Sequence, residues 1–163
     1  YSPYDFQEKG VGKISGKGNI TMDWMSQTFK PLIDSRYRTI PDRAHTWIGG
    51  SSMGGLMSLY GVLAYSHVYS RAAALSPSLW TNPREIEALI RRSPAGKDTV
   101  IYMDYGQNEL ASGRQMEKLF SRINSLLLEK KISLTSRIVP VGTHCEARWE
   151  KHLPFMMHTL TYH

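Results

Sequence analysis

Four short apolar runs, at residues 45–49, 72–75, 99–105 and 134–141, punctuate this chain, with segments of helical spacing between them. None of the runs alternates cleanly between apolar and polar positions. That pattern predicts strands covered on both faces, as in a parallel sheet. From Thr21 the spacing turns helical, with Met22, Met25, Phe29 and Leu32 on one face. Pro31 predicts a kink there, or the start of a second short turn. Residues 56–65 are apolar-periodic, and Asn82-Pro83 reads as an N-cap and first helical position for a helix running to Arg92. A further helix is expected over about 113–130, burying Met116, Leu119, Phe120, Ile123 and Leu127. The last, roughly 147–160, carries Pro154 as an interruption. Strand and helix alternating four times predicts an α/β fold: four parallel strands in sequential order with flanking helices.

Residues 1–19 show no clear period. Gly10, Gly12, Gly16 and Gly18 alternate with Lys13 and Lys17, but the spacing matches no phosphate-binding loop and no apolar strand precedes it. A flexible, loop-like lead-in is the expectation. With 163 residues the chain reads as one domain, and no apolar run approaches the ~20 residues that span a bilayer. It begins at Tyr1 without a basic-then-apolar leader, which reads as a processed chain or a fragment. Its one cysteine, Cys145, excludes an internal disulfide or a multi-cysteine metal site and leans towards a reducing, cytoplasmic setting. The net charge of +6 is dispersed, with only Arg91-Arg92 and Lys130-Lys131 adjacent. No basic stripe interleaved with aromatics marks a nucleic-acid surface.

The chemistry centres on Gly50-Ser51-Ser52-Met53-Gly54, at the end of the first apolar run and the head of the helical segment that follows. A G-x-S-x-G pentapeptide is weak alone. In a strand–turn–helix setting it describes a nucleophile elbow, in which a strained turn exposes the serine hydroxyl. The glycines let helix and strand pass closely. A serine hydroxyl needs a base to take its proton during attack. Of the downstream histidines only His144 follows a strand; His152 and His158 fall in the last helical segment, where surface or packing roles fit better, and His163 is terminal. The segment 102–109 offers two acids. Glu109, in the loop beyond the third strand, is favoured over Asp104, which is still inside the apolar run and also reads as a strand-end carboxylate bonded to backbone amides. Trp80 and Trp149 could line a substrate pocket, although packing is the commoner fate of a tryptophan. No residue pattern calls for a metal or an organic cofactor.

Several ordered motifs now carry a resemblance. Lys30-Pro31-Leu32-Ile33-Asp34, Tyr37-Arg38-Thr39, the Gly50–Gly54 pentapeptide with Gly55-Leu56, Ser76-Pro77-Ser78-Leu79-Trp80, and Gly142-Thr143-His144 with Glu146 and Trp149 together resemble the putative-esterase family of α/β-hydrolases. That family includes esterase D, enterochelin-type siderophore esterases, feruloyl and acetylxylan esterases, and mycolyltransferases. The resemblance spans about residues 17–160. It implies Ser52 as nucleophile, His144 as base and an acid in the 106–109 loop, in a serine esterase that works through an acyl-enzyme on small-molecule, carbohydrate or siderophore esters.

The family's chains normally begin with further strands and a loop that donates one oxyanion N–H. The expectation is therefore an α/β-hydrolase-type sheet lacking its N-terminal strands, with residues 1–163 as the C-terminal part of one domain. The Met53 N–H would supply one oxyanion donor, and the missing N-terminal segment would be a partner. A different reading is a non-catalytic fragment or binding module that keeps the elbow without a complete oxyanion hole.

Overall fold

A computed structural model describes residues 2–109 and 113–162. Where the pattern predicts a loop, the chain opens with a small hairpin: β1 (Phe6–Glu8) pairs antiparallel with β2 (Gly12–Ile14). Gly10 and Gly12 take φ of +85° and +98°, the left-handed conformations that let so short a reversal close. Helix α1 (Gly18–Trp24) then runs through a π-helical turn at Met25–Phe29 into α2 (Lys30–Arg36). The wide turn precedes Pro31, which lacks an N–H and crowds the carbonyl four residues back. It also shifts the helical phase. Met22 is buried in the core, whereas Phe29 and Leu32, expected on the same face, remain exposed.

A 3₁₀ turn (Arg43–His45), whose first amide-bonding partner is the Asp42 carboxylate (3.0 Å from His45 N), leads into β3 (Trp47–Ser51). The remaining elements are α3 (Met53–Ala64), β4 (Arg71–Leu75), α4 (Pro83–Arg92), β5 (Val100–Gly106), α5 (Gly113–Glu129) and β6 (Ser133–Val139). The chain closes with α6 (Glu146–Trp149), a 3₁₀ turn (Glu150–His152) and α7 (Leu153–Thr161), with Pro154 in the first turn of α7. The strands form one parallel sheet in the order β3-β4-β5-β6. Its register places Ser51, Leu75, Asp104 and Arg137 in a single row, so the C-terminal strand ends come out side by side.

Both faces of the two central strands are covered. Leu56, Leu59, Ile86, Ile90, Ile101, Met103, Phe120 and Ile123 form a core between the sheet and α3, α4 and α5. Ala73, Leu75, Tyr102, Trp149, Met156 and Leu160 form the other, beneath α6 and α7. Every residue of β5 is buried, as the unbroken apolar run predicts. β6 departs from that expectation: Ser136 and Ile138 are exposed and their neighbours are not, because β6 is an outer strand. Asn82 does stand before α4, yet it makes no side-chain cap bond; its Nδ2 donates to the Asp5 carbonyl (2.8 Å) and ties the hairpin region to the head of α4.

Two predictions follow from this packing. A Cβ added at Gly50 would lie 2.7–3.0 Å from backbone atoms of Gly54, whereas one at Gly49 would lie 3.3 Å from the Ala73 Cβ. Gly50→Ala should therefore cost about 1–3 kcal/mol or more, and Gly49→Ala clearly less, in urea unfolding. Equal midpoints for the two variants would show that helix and strand part freely. In addition, burial pushes the phenol pKa values of Tyr69, Tyr102 and Tyr105 upward, with Asp104 adding to the effect at Tyr102. The unfolded chain gives up these protons near pH ~10 while the folded protein holds them, so the stability these three groups contribute is fully present below that pH and is lost as pH rises through their folded values. Thermal unfolding followed across that range should show a falling midpoint, with tyrosinate absorbance appearing together with unfolding; tyrosinate from all three while the protein stays folded would contradict it.

Candidate active site

Ser52 is the single residue between the end of β3 and the start of α3. Its backbone sits at φ +55°, ψ −120°, a costly conformation for a residue with a side chain. Three hydrogen bonds hold it there: Ser52 N–H to the Leu75 carbonyl (2.9 Å), and the Ser52 carbonyl to the N–H groups of Leu56 (3.0 Å) and Ser78 (3.1 Å). The reversal is possible because Gly50 lies against the Gly54 backbone and Gly55 against the Leu75 carbonyl, where a Cβ would come within 2.8 Å. The Ser52 hydroxyl is thus carried at the C-terminal end of the sheet.

His144 arrives from the loop after β6. Its Nε2 stands 2.8 Å from Ser52 Oγ and its Nδ1 3.0 Å from Glu109 Oε2. An ionised carboxylate only accepts, so Nδ1 carries the proton and, in the neutral imidazole, Nε2 is free to accept from the serine hydroxyl. Glu109 comes from the turn after β5. Its other oxygen, Oε1, accepts from the Gly106 N–H (2.7 Å) and the Ser76 hydroxyl (2.5 Å). The two loops are stitched together by Asn108 N–H to the Gly142 carbonyl (2.9 Å) and Gln107 N–H to the Val139 carbonyl (3.0 Å). Gly106 and Gly142 touch backbone to backbone, which fixes the distance between the loops that carry Glu109 and His144. The Glu109 side chain is 4% exposed and that of His144 39%, so His144 faces solvent while Glu109 is enclosed.

The other predicted residues divide. Asp104 does not meet His144: fully buried within β5, its Oδ2 accepts from the Tyr102 hydroxyl (2.8 Å) and contacts His152 Nδ1 (2.7 Å). Its Oδ1 accepts from the Ser76 N–H (3.2 Å), in keeping with the backbone-bonded role considered for it. His152 is buried, and its pairing with Asp104 is a contact that sequence spacing missed. His158 is exposed, and His163 lies outside the described residues. Trp149 is buried; its indole N–H donates to Ser76 Oγ (2.9 Å) and its ring meets His144 edge-on at 4.8 Å between centroids. Trp149 also lines a mainly apolar cavity of about 380 Å³ with Gly50, Ser51, Leu75, Leu153 and Met156, where Glu146 and Glu150 supply the charged part of the lining. Trp80 instead lies half-exposed, edge-on to Phe6 of the hairpin. Met53 opens α3, directly after the serine. Ser76, which sequence reasoning left without a role, joins Glu109, Trp149 and Asp104; its place in the Ser76-Pro77-Ser78 segment just after β4 was the available signal. Among the described residues, no three or more His, Cys, Asp or Glu side chains converge in a metal-holding group, and no helix is long and apolar enough to cross a membrane.

The same fold recurs in solved structures. The BES protein from Bacillus cereus superposes with a TM-score of 0.73 at 15% identity, covering 99% of this chain and 62% of its own. An IroE-like serine hydrolase from Shewanella oneidensis gives 0.72 at 19% identity over 88% of this chain and 48% of its own. The siderophore hydrolase EstA from Aspergillus nidulans gives 0.67 at 19% identity over 98% and 62%. This chain thus spans about half to three-fifths of the length of these proteins. No curated protein matches it in sequence. A family model described as "Putative esterase" matches residues 1–160, and the chain belongs to that esterase family.

Proposed function

We propose that the chain carries the nucleophile, base and acid of a serine carboxylic-ester hydrolase. The observation that supports this most directly is the unbroken line of hydrogen bonds from Ser52 Oγ through His144 to Glu109, held at the ends of β3, β6 and β5. In this reading Ser52 is the nucleophile of an elbow. As Oγ attacks the ester carbonyl carbon, its proton passes to His144 Nε2, and the carbonyl oxygen becomes an oxyanion facing the Met53 N–H. Collapse of the tetrahedral intermediate breaks the bond to the alcohol, which leaves with the proton from Nε2. Water then repeats the sequence on the acyl-enzyme and frees the acid. Glu109 keeps the proton on Nδ1 and stabilises the imidazolium without itself being protonated.

The ester-hydrolase names among the structural neighbours, a ferulic acid esterase and siderophore hydrolases, favour small-molecule, siderophore or carbohydrate-linked esters as the substrate class. A fluorophosphonate should label the protein at Ser52 and fail to label Ser52→Ala. On an ester substrate, Ser52→Ala and His144→Ala should each lower kcat by about 10⁴-fold or more, and Glu109→Gln by a loss of up to roughly the same order. Labelling that persists in folded Ser52→Ala would refute the assignment.

We further propose that residues 1–163 form the C-terminal part of a single α/β-hydrolase domain, whose other strands pair along β3. β3 ends the four-stranded sheet with one edge unpaired among the described residues. An open edge of this kind is ordinarily covered. The same added segment would supply a second oxyanion donor. Compared with the chain joined to such a segment, the chain alone should show a kcat lower by about 10²–10³-fold, the usual effect of one missing donor. Equal kcat values would favour a complete hole within these residues. A folded chain with no labelling even when joined would favour the binding-module reading.

A further inference from the structure

The hydroxyl at position 76 occupies a place that packing alone does not explain. Ser76 is 3% exposed, immediately after β4, and holds φ at +42°, a second strained non-glycine turn beside that of Ser52. Such a conformation persists only where its surroundings over-determine it. Here its N–H is shared between the carbonyl and the carboxylate of Asp104, at 3.1 and 3.2 Å. Asp104 is in turn held by Tyr102 and His152. The turn is therefore braced from below by a buried polar cluster of Asp104, Tyr102 and His152.

The direction of the bonds above it follows from donor inventories. An indole N–H only donates, so Ser76 Oγ accepts from Trp149 and its single proton points to Glu109 Oε1. Together with the Gly106 N–H, this gives Oε1 two donors and leaves Oε2 for His144. The last torsion of a glutamate is broad and roughly two-fold, so no rotamer preference fixes the plane of the carboxylate. Hydrogen bonds must do it. With the Gly106 N–H as the one remaining donor to Oε1, the carboxylate could swivel about that bond and carry Oε2 away from Nδ1.

We propose that Ser76 is a positioning residue for Glu109: oriented by the Trp149 indole, its hydroxyl sets the plane of the carboxylate and so the alignment of His144 with Ser52. The inference rests on the reading of Ser52, His144 and Glu109 as nucleophile, base and acid. Two variants separate the hydroxyl from the backbone. Ser76→Ala keeps the strained φ, and Ser76→Gly relieves it; both remove the proton. In the intact protein bearing this chain, each should lower kcat for ester hydrolysis by about 10–100-fold with KM little changed, the usual effect of losing one hydrogen bond to a charged group. Introduced into Glu109→Gln, the same changes should add almost nothing, since Ser76 acts through Glu109. A proton NMR readout needs no turnover: the downfield resonance of the His144 Nδ1 proton bonded to Glu109 should be lost or shifted in both variants. Wild-type kcat and an unmoved resonance in both would overturn the proposal, as would an undiminished kcat loss in the Glu109→Gln background. Fluorophosphonate labelling of wild type and Ser52→Ala, run alongside, tells the two failures apart. Labelled Ser52 with neutral Ser76 variants removes Ser76 alone, and labelling independent of Ser52 removes the reading beneath it.

Discussion

The backbone of α3 passes the end of β3 in direct contact at Gly50 and Gly54, and the turn that presents the Ser52 hydroxyl depends on that approach. A helix that starts so close to the strand leaves one residue for the reversal. That residue is driven to positive φ and its side chain outward. Parallel pairing then brings neighbouring strand ends to the same level. Loops that leave β5 and β6 at that level need span only a few residues to deliver Glu109 and His144. The glycine contact is thus a constraint on backbone volume with a chemical result: where Ser52 emerges decides what the other two loops must reach.

A second layer of organisation is polar and buried. Beneath the line from Ser52 to Glu109 lies another, running from Trp149 and His152 through Ser76 and Asp104 to Tyr102. Buried carboxylates are tolerable when their lone pairs are occupied, and both Asp104 and Glu109 meet that condition with neighbours from separate elements. The two acids sit five residues apart in sequence and serve different partners. Asp104 fastens the 3₁₀ turn before α7 to the sheet, whereas Glu109 faces the exposed histidine.

The sheet was legible because each strand is a compact apolar run and each helix between them is periodic; observed strand bounds fall within two residues of the expected ones at every end. That Ser52, His144 and Glu109 meet was legible for a related reason, since each follows a recognisable strand. What could not be read were contacts between distant positions. Asp104 and His152 are 48 residues apart, and Ser76 and Glu109 are 33 apart, with no local pattern to announce either pair. The hairpin of β1 and β2 was hidden by its three-residue strands. The exposure of Phe29 and Leu32 was hidden by a π-helical turn, because helical periodicity assumes a constant pitch.

The amide of Asn82 forgoes the head of α4 to hold the carbonyl of Asp5, while Phe6 leans on Trp80 a few residues before it. The opening residues are therefore joined to the segment that follows β4 by a hydrogen bond and a ring contact. The same segment, from Ser76 to Asn82, supplies the Ser78 amide that bonds the Ser52 carbonyl. A short chain of contacts therefore runs from the hairpin through Trp80 and Asn82 to the segment that bonds the serine turn.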